Sequence, residues 1–226
     1  MARTGKRISP DERRQMIVQA TLRLVADHGI TGATTARIAA AVDTSEGTLY
    51  RLFGSKQGIL TAALDAVYEH FSQLAESCRG ECGGDVVEYL RCLGQRHTGL
   101  MVSGKIDHYI VPLFEFISAP PSLGLHDAVA ERQQQVLDML AAVVDQGKAA
   151  GTIPATADSY QIAWALVAVY WAEDIATLIG LPGFVLEGRS RKLSDVVLRC
   201  FGSCSACPNP PGGDLTPPGR PPASTG

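Results

Sequence analysis

Long apolar runs are missing from this sequence. None of its 226 residues belongs to an uninterrupted stretch approaching the ~20 residues that a membrane span needs. The basic start, Met1 to Arg7, leads into a charged segment where a signal peptide would place its apolar region, so no export is expected and the cytoplasm is the expected location. Aromatic residues amount to 6%, with two tryptophans. Chemistry-bearing motifs are equally scarce. A Gly-rich phosphate loop, a nucleophile elbow and the HExxH pattern are all absent, and no internal repeat occurs. His97, His108 and His126 lie scattered, not at metal-ligand spacing. Neither an enzyme nor a cofactor or metal site is expected. Six cysteines are present, and in a cytoplasmic chain of this size they are expected reduced. Cys78 and Cys82, and the Cys200, Cys204, Cys207 cluster, read as inert thiols more readily than as metal or redox sites.

What is present is a globular composition, 46% apolar with a mean hydropathy of +0.07, in a length that allows one or two domains with a sizeable core. The net charge of −3 hides an asymmetry. Residues 1–58 hold nine Lys/Arg against five Asp/Glu, which leaves +4 there and −7 on the remainder. A basic module on an acidic body suits a nucleic-acid reader joined to something that avoids the polyanion. Residues 1–8 read as a disordered basic arm, either touching phosphates or a minor groove through Arg3, Lys6 and Arg7, or simply solvated.

Ser9-Pro10-Asp11-Glu12 opens the first helix with a capping box and a proline at the first helical position. Ile17, Ala20, Leu24 and Val25 recur at helical spacing until Gly29 supplies a stop. Between Thr34 and Lys56 two short helical patterns follow, with Ile38, Ala39 and Val42 on one apolar face and Leu49, Tyr50 and Phe53 on the next. Asp43-Thr44-Ser45 supplies turn and cap chemistry between them. Thr35 is expected to cap the second helix and Ser45 the third. Two helices of this size joined by a short turn match a helix-turn-helix, whose second helix enters the major groove.

The stretch resembles the DNA-binding motif of the tetracycline-repressor (TetR) family in Thr34-Thr35, Ile38-Ala39, Ser45, Gly47-Thr48-Leu49-Tyr50-Arg51, Phe53 and Ser55-Lys56. The resemblance implies a double-stranded DNA operator as partner and contacts from Thr35, Arg37, Ser45, Glu46, Gly47, Thr48, Tyr50, Arg51 and Lys56. Gly47 lets the backbone approach the groove. Thr48 offers a hydroxyl and a methyl to a base edge. Tyr50 reads either as a phosphate contact or as a core aromatic, and Lys56 as a phosphate contact or a solvated charge. Three positions depart from the family pattern: Asp43 where glycine is common in the turn, Glu46 where a base is common after the cap, and Leu52 where histidine is common. Each removes a favourable DNA contact or adds repulsion, although Glu46 can accept from a cytosine amino group.

Further along, helices are expected over 55–77, 85–101, 105–116, 125–149, 159–179 and 190–202. The resemblance implies that the helix over 55–77 links the reading head to the body. Asp158 to Gln161 forms another capping box. The helix after it is apolar on nearly all sides and must bury more than one face. The resemblance implies a homodimer through the helices near 159–179 and 190–202. It also implies a small-molecule effector of unknown identity, held on the helices that carry His97, Met101, Tyr109, Phe114, Phe116, Trp164, Tyr170, Trp171 and Glu173. The same aromatics are equally well read as ordinary core. Glu173 in an apolar helix needs a partner, whether protein group, water or cationic ligand. Residues 208–226, rich in Pro, Gly and Ser/Thr, read as a disordered tail.

The expected architecture is all-α. A three-helix helix-turn-helix domain over 9–57 precedes a roughly six-helix ligand-binding and dimerisation domain over 58–207. The expected function is a ligand-responsive transcriptional regulator, a repressor released from a pseudo-palindromic operator. The alternative is a ligand-binding or interaction protein of the same fold whose DNA reading is weak or lost.

Overall fold

The computed structural model describes residues 8–82, 84–104 and 107–203, without the side chains of Asp107 and Cys200 to Ser203. The arm before Ile8, Cys204, Cys207 and the 208–226 tail lie outside the described residues. Those residues are all helix and connection, with no strand among them, and no helix is long and apolar enough to cross a membrane.

Local chemistry starts the helices. In α1 (Pro10–Gly32) Ser9 Oγ accepts the Glu12 N–H at 3.1 Å and Glu12 accepts the Ser9 N–H at 2.8 Å, completing the capping box. α2 (Thr35–Ala41), α3 (Glu46–Phe53) and α4 (Lys56–Arg79) follow, each opened by a hydroxyl cap. The cap of α2 is Thr34, not Thr35. Thr34 is extended and its side chain accepts the Arg37 N–H, while Thr35 is already helical. α5 (Val86–Val102) starts on Asp85, which accepts two backbone N–H groups. α6 (Asp107–Ile117) contains Pro112, and a short 3₁₀ turn at Pro121–Leu123 leads to α7 (His126–Ala149). α8 (Ser159–Leu178) starts on Asp158, whose carboxylate accepts from Tyr160 and Gln161 at 3.0 Å each.

The stretch after Leu181 is more ordered than a simple break. Pro182 fixes a helical φ, and a four-residue helix α9 (Gly183–Leu186) forms before α10 (Arg189–Ser203). α1 also outlasts its expected stop. Gly29 turns to φ +69°, which kinks the helix, and the chain resumes helically to Gly32. The kink frees the Ile30 N–H, and Glu115 of α6 accepts it at 2.8 Å.

Among the described residues there are four apolar clusters, and the three larger ones hold this arrangement. Ile17, Ile38, Leu49 and Ile59 join α1, α2, α3 and the start of α4. Leu22, Val25, Leu64, Val67, Leu113 and Phe116 join α1, α4 and α6. The largest, with Leu90, Leu140, Val144, Ala163 and Leu166, joins α5, α7 and α8. Burying each such Leu or Ile side chain contributes about 1.5–3 kcal/mol.

Candidate functional site

The first site is the exposed side of α3. Ser45 Oγ accepts the Thr48 N–H at 3.2 Å and lies 3.1 Å from Thr48 Oγ1, so cap and first turn are locked together. Leu49 is fully buried, with Leu52 and Phe53 packed beside it. That anchor leaves Glu46, Gly47, Tyr50 and Arg51 exposed at one-turn spacing. Tyr50 keeps 45% of its surface in water. Gly47 is not required by its own protein, since a Cβ there would meet only Ser45 Oγ at 3.8 Å.

Neighbouring residues brace the helix. Glu46 accepts from Thr35 Oγ1 at 2.5 Å, tying the starts of α2 and α3 together. That bond engages the hydroxyl of Thr35, one of the expected DNA contacts, and the carboxylate that can accept from a cytosine. Arg37 is exposed and donates to the Gly32 carbonyl at 3.3 Å, near the end of α1. Lys56 is half-buried in the first turn of α4, behind the Ser55 cap. Two supports escape sequence reading. Arg14 donates to the Leu52 carbonyl and lies 4.5 Å over the Phe53 ring. Gly58 sits so close to the Phe53 carbonyl that a Cβ would fall 2.1 Å from its oxygen. Nothing in local spacing announces either contact.

Asp43 ends α2 at φ +49°, the one positive φ of a non-glycine residue among those described. The Thr44 and Asp43 N–H groups return to the Ala39 and Ala40 carbonyls at 3.0 and 3.3 Å. This is a Schellman closure, in which glycine is the usual left-handed residue.

The second site is a cavity between α4, α5, α7 and α8, with about 80 Å³ open to the centres of water-sized molecules, room for several waters or a slim ligand. His97, Tyr170 and Trp171 line it, as do Tyr68, Phe71 and Asp174, which the sequence did not single out. Other candidates lie elsewhere. Met101, Tyr109 and Phe114 cluster around Ile110, and Tyr109 stacks on His70 at 4.1 Å. Phe116 belongs to the core shared with α1 and α4. Trp164 is on the surface, edge-on to Trp171.

Glu173 finds its partners behind the cavity wall. It accepts from Thr98 Oγ1 at 2.7 Å and lies 2.9 Å from His97 Nδ1. Asp174 meets the other ring nitrogen, His97 Nε2, at 3.4 Å. Burial opposes a charge on His97, but the bonds and charges of Asp174 and Glu173 outweigh it and push the imidazole up to about 9. Burial pushes the Asp174 carboxyl above its ordinary range. Burial also works against the Glu173 carboxylate, yet His97 and Thr98 hold it below the ordinary value.

Residues 17–63 match the bacterial regulatory proteins of the tetR family. The chain is 30% identical over 81 residues to the HTH-type transcriptional regulator BetI of Stenotrophomonas maltophilia, an alignment covering 36% of this chain and 41% of that protein. It spans about two fifths of the length of the curated relatives it matches first. Two solved structures share the fold over most of the chain. A TetR-family regulator from Rhodococcus sp. superposes with a TM-score of 0.72 at 21% identity, over 83% of this chain and 99% of that one. FadR from Bacillus subtilis, solved with stearoyl-CoA, superposes with a TM-score of 0.62 at 20% identity, over 84% and 97%. A reading head that matches the tetR family in sequence thus sits on a body that shares its fold with solved TetR-family regulators.

Proposed function

We propose that the protein is a ligand-responsive transcriptional regulator, a repressor that holds a pseudo-palindromic operator as a homodimer and releases it when a small molecule enters the cavity. The observation that carries the reading is the α3 stripe. A helix pinned by buried Leu49 presents Gly47, Tyr50 and Arg51 to solvent, and nothing inside the protein requires Gly47. Residues 9–57 form the reading head and 58–207 the ligand and dimer body, within the cytoplasm and without catalysis. Thr35, Arg37, Ser45, Glu46, Thr48 and Lys56 complete the DNA face. The cavity beside α4 supports the ligand half, because α4 runs from the reading head directly along its wall. FadR's capture with stearoyl-CoA supports a body built to hold small molecules. Release requires the ligand to favour a state in which the two α3 helices no longer match successive major grooves.

The test is selection of genomic fragments by the purified protein, with Tyr50→Ala and Thr48→Ala alongside. A recurrent palindrome is expected, bound more weakly as salt rises and weakened by roughly 1–3 kcal/mol in a variant that loses a base contact. One observation favours a second reading. Asp43 and Glu46 place two carboxylates beside the groove-facing end of α3, with Glu46 already engaged by Thr35. If selection at low salt recovers no common sequence, the protein is a ligand-binding member of the fold whose DNA reading has decayed.

A further inference from the structure

Three thiols meet where α4 ends. Cys78 lies in the last turn of α4, Cys82 in the turn that follows it and Cys92 on α5. Cys82 and Cys92 pack against the core that contains Cys78, and all three are free thiols. Cys92 is the centre of the group, because its sulfur is in hydrogen-bond contact with both Cys78 and Cys82. Sequence spacing shows only Cys78 and Cys82, on one short segment. The fold adds Cys92 and turns a pair into a cluster.

The three sulfurs have different surroundings. Cys78 is fully buried, and burial pushes its thiol up to about 12. Cys82 is half-buried. Burial, the Cys92 contact and the carboxylates of Glu81 and Glu88 hold its thiol above the ordinary range. Cys92 is half-buried too, but a cation stands beside it. Arg96, one turn further along α5, donates to the Cys92 sulfur and to the Glu81 carboxylate. A partly exposed sulfur next to a guanidinium is the setting of a reactive cysteine, whereas a thiol sealed in apolar surroundings is inert. Cys82 sits in a turn between Gly80 and Gly84, so its backbone can yield to the geometry that a disulfide demands. Cys78 could do so only by moving α4.

We propose that Cys92 and Cys82 form an oxidisable pair, in which a hydroperoxide oxidises Cys92 and Cys82 then closes a disulfide on it. With hydrogen peroxide, the Cys92 sulfur attacks one oxygen, the S–O bond forms as the O–O bond breaks, and the second oxygen leaves as water with the thiol proton. Cys92 is then a sulfenic acid, oxidised by two electrons, and the peroxide is reduced. The Cys82 sulfur attacks the Cys92 sulfur, an S–S bond replaces the S–O bond, and the hydroxyl leaves as a second water with the Cys82 proton. The bond ties the turn after α4 to α5 beside the cavity, whose wall includes Ala75 and Leu93 from the same core. The pair rests on the cluster alone and does not depend on the DNA reading.

The experiment treats the reduced full-length protein with a small excess of hydrogen peroxide, blocks the remaining thiols with iodoacetamide and digests with trypsin in the absence of reductant. Cleavage after Arg79, Arg91 and Arg96 puts each thiol of the cluster on a different peptide. The expected product is residues 80–91 joined to residues 92–96, lighter by two hydrogens than the separate peptides and parted again by dithiothreitol. With dimedone present during oxidation, Cys82→Ser is expected to carry the label on Cys92. Cys92→Ser is expected to lose both the link and any label on Cys82. The unaltered protein tests the pair even if a variant folds poorly. A link from residues 57–79 to 92–96 in place of the expected one, dimedone on Cys82 in Cys92→Ser, or Cys82 and Cys92 that both still alkylate fully after peroxide would each overturn the proposal. Oxidation confined to Cys200, Cys204 and Cys207 would do the same.

Discussion

Asp43 is a residue that costs the fold and the proposed function alike. Its left-handed backbone costs an L residue about 1–2 kcal/mol, less where a short polar side chain bonds locally, and its carboxylate adds repulsion toward phosphates. Asp43→Gly should therefore raise stability by about 0.5–1 kcal/mol and tighten operator binding, most visibly at low salt. Thermal melts and salt-dependent operator titrations check both halves, and a glycine variant that binds DNA no better would mean the carboxylate lies outside the reach of the phosphates.

His97 makes a second expectation at this scale. Its folded pKa, about 9, lies above the ordinary value. The stability it contributes is therefore complete below about pH 6.5 and lost as pH rises through 9, and by linkage the loss is of order 3 kcal/mol. Melting temperature should fall between pH 6.5 and 9.5. His97→Gln should flatten that slope, since a glutamine cannot titrate. A slope identical in the variant would assign it to other groups.

At the scale of elements, the join between α3 and α4 is a backbone contact. The Phe53 carbonyl occupies the space where any side chain at position 58 would begin. Gly58→Ala should shift the end of α3, lower stability by about 1–3 kcal/mol and weaken operator binding more than the lost stability alone explains. A crystal structure or operator titration of the variant would show it. Normal DNA binding at the unaltered melting temperature would mean the helix ends part cheaply.

Much of the helical order is legible in the sequence because its signals are local. Ser9, Ser45, Ser55, Asp85 and Asp158 each announce a helix start by a side chain within three residues of the N–H it accepts. What escapes is set by distance. Thr34 and Thr35 are both good caps, and in the fold it is Thr34 that stays outside the helix, its N–H donating to the Gly32 carbonyl at the end of α1. The Gly29 stop is overridden by Glu115, 85 residues from the Ile30 N–H that it accepts. The cavity is harder still. α8 is apolar nearly all round, so periodicity cannot say that Trp171 turns inward while Trp164 faces solvent. Glu173 drew notice as a lone carboxylate, but its neighbour Asp174 is the one that reaches the cavity, and adjacent positions on a helix differ by about 100°.

At the scale of the molecule, α8 and α10 show a face that one subunit leaves uncovered. Trp164, Ile175 and Leu178 on α8 and Leu193 and Val196 on α10 are all more than 40% exposed. Large apolar side chains exposed in this way are what the proposed homodimer would cover. Ile175→Glu with Val196→Glu should convert a dimer to monomers, seen by light scattering. The same change should lower operator affinity by orders of magnitude, because a single head loses the benefit of the linked second site. Dimers that persist in the double variant would place the interface elsewhere.

The carboxylate of Glu115 at the Gly29 kink has a consequence for how the chain melts. α1 contributes Ile17 to the core of the reading head and Leu22, Val25 and Ile30 to the core shared with α4 and α6. One helix thus serves as the spine of both parts. A fragment ended at residue 57 would carry those last three side chains into water along with a broken, uncapped helix end. Heating the whole chain should accordingly give a single cooperative transition, the head and the body losing their order at one temperature.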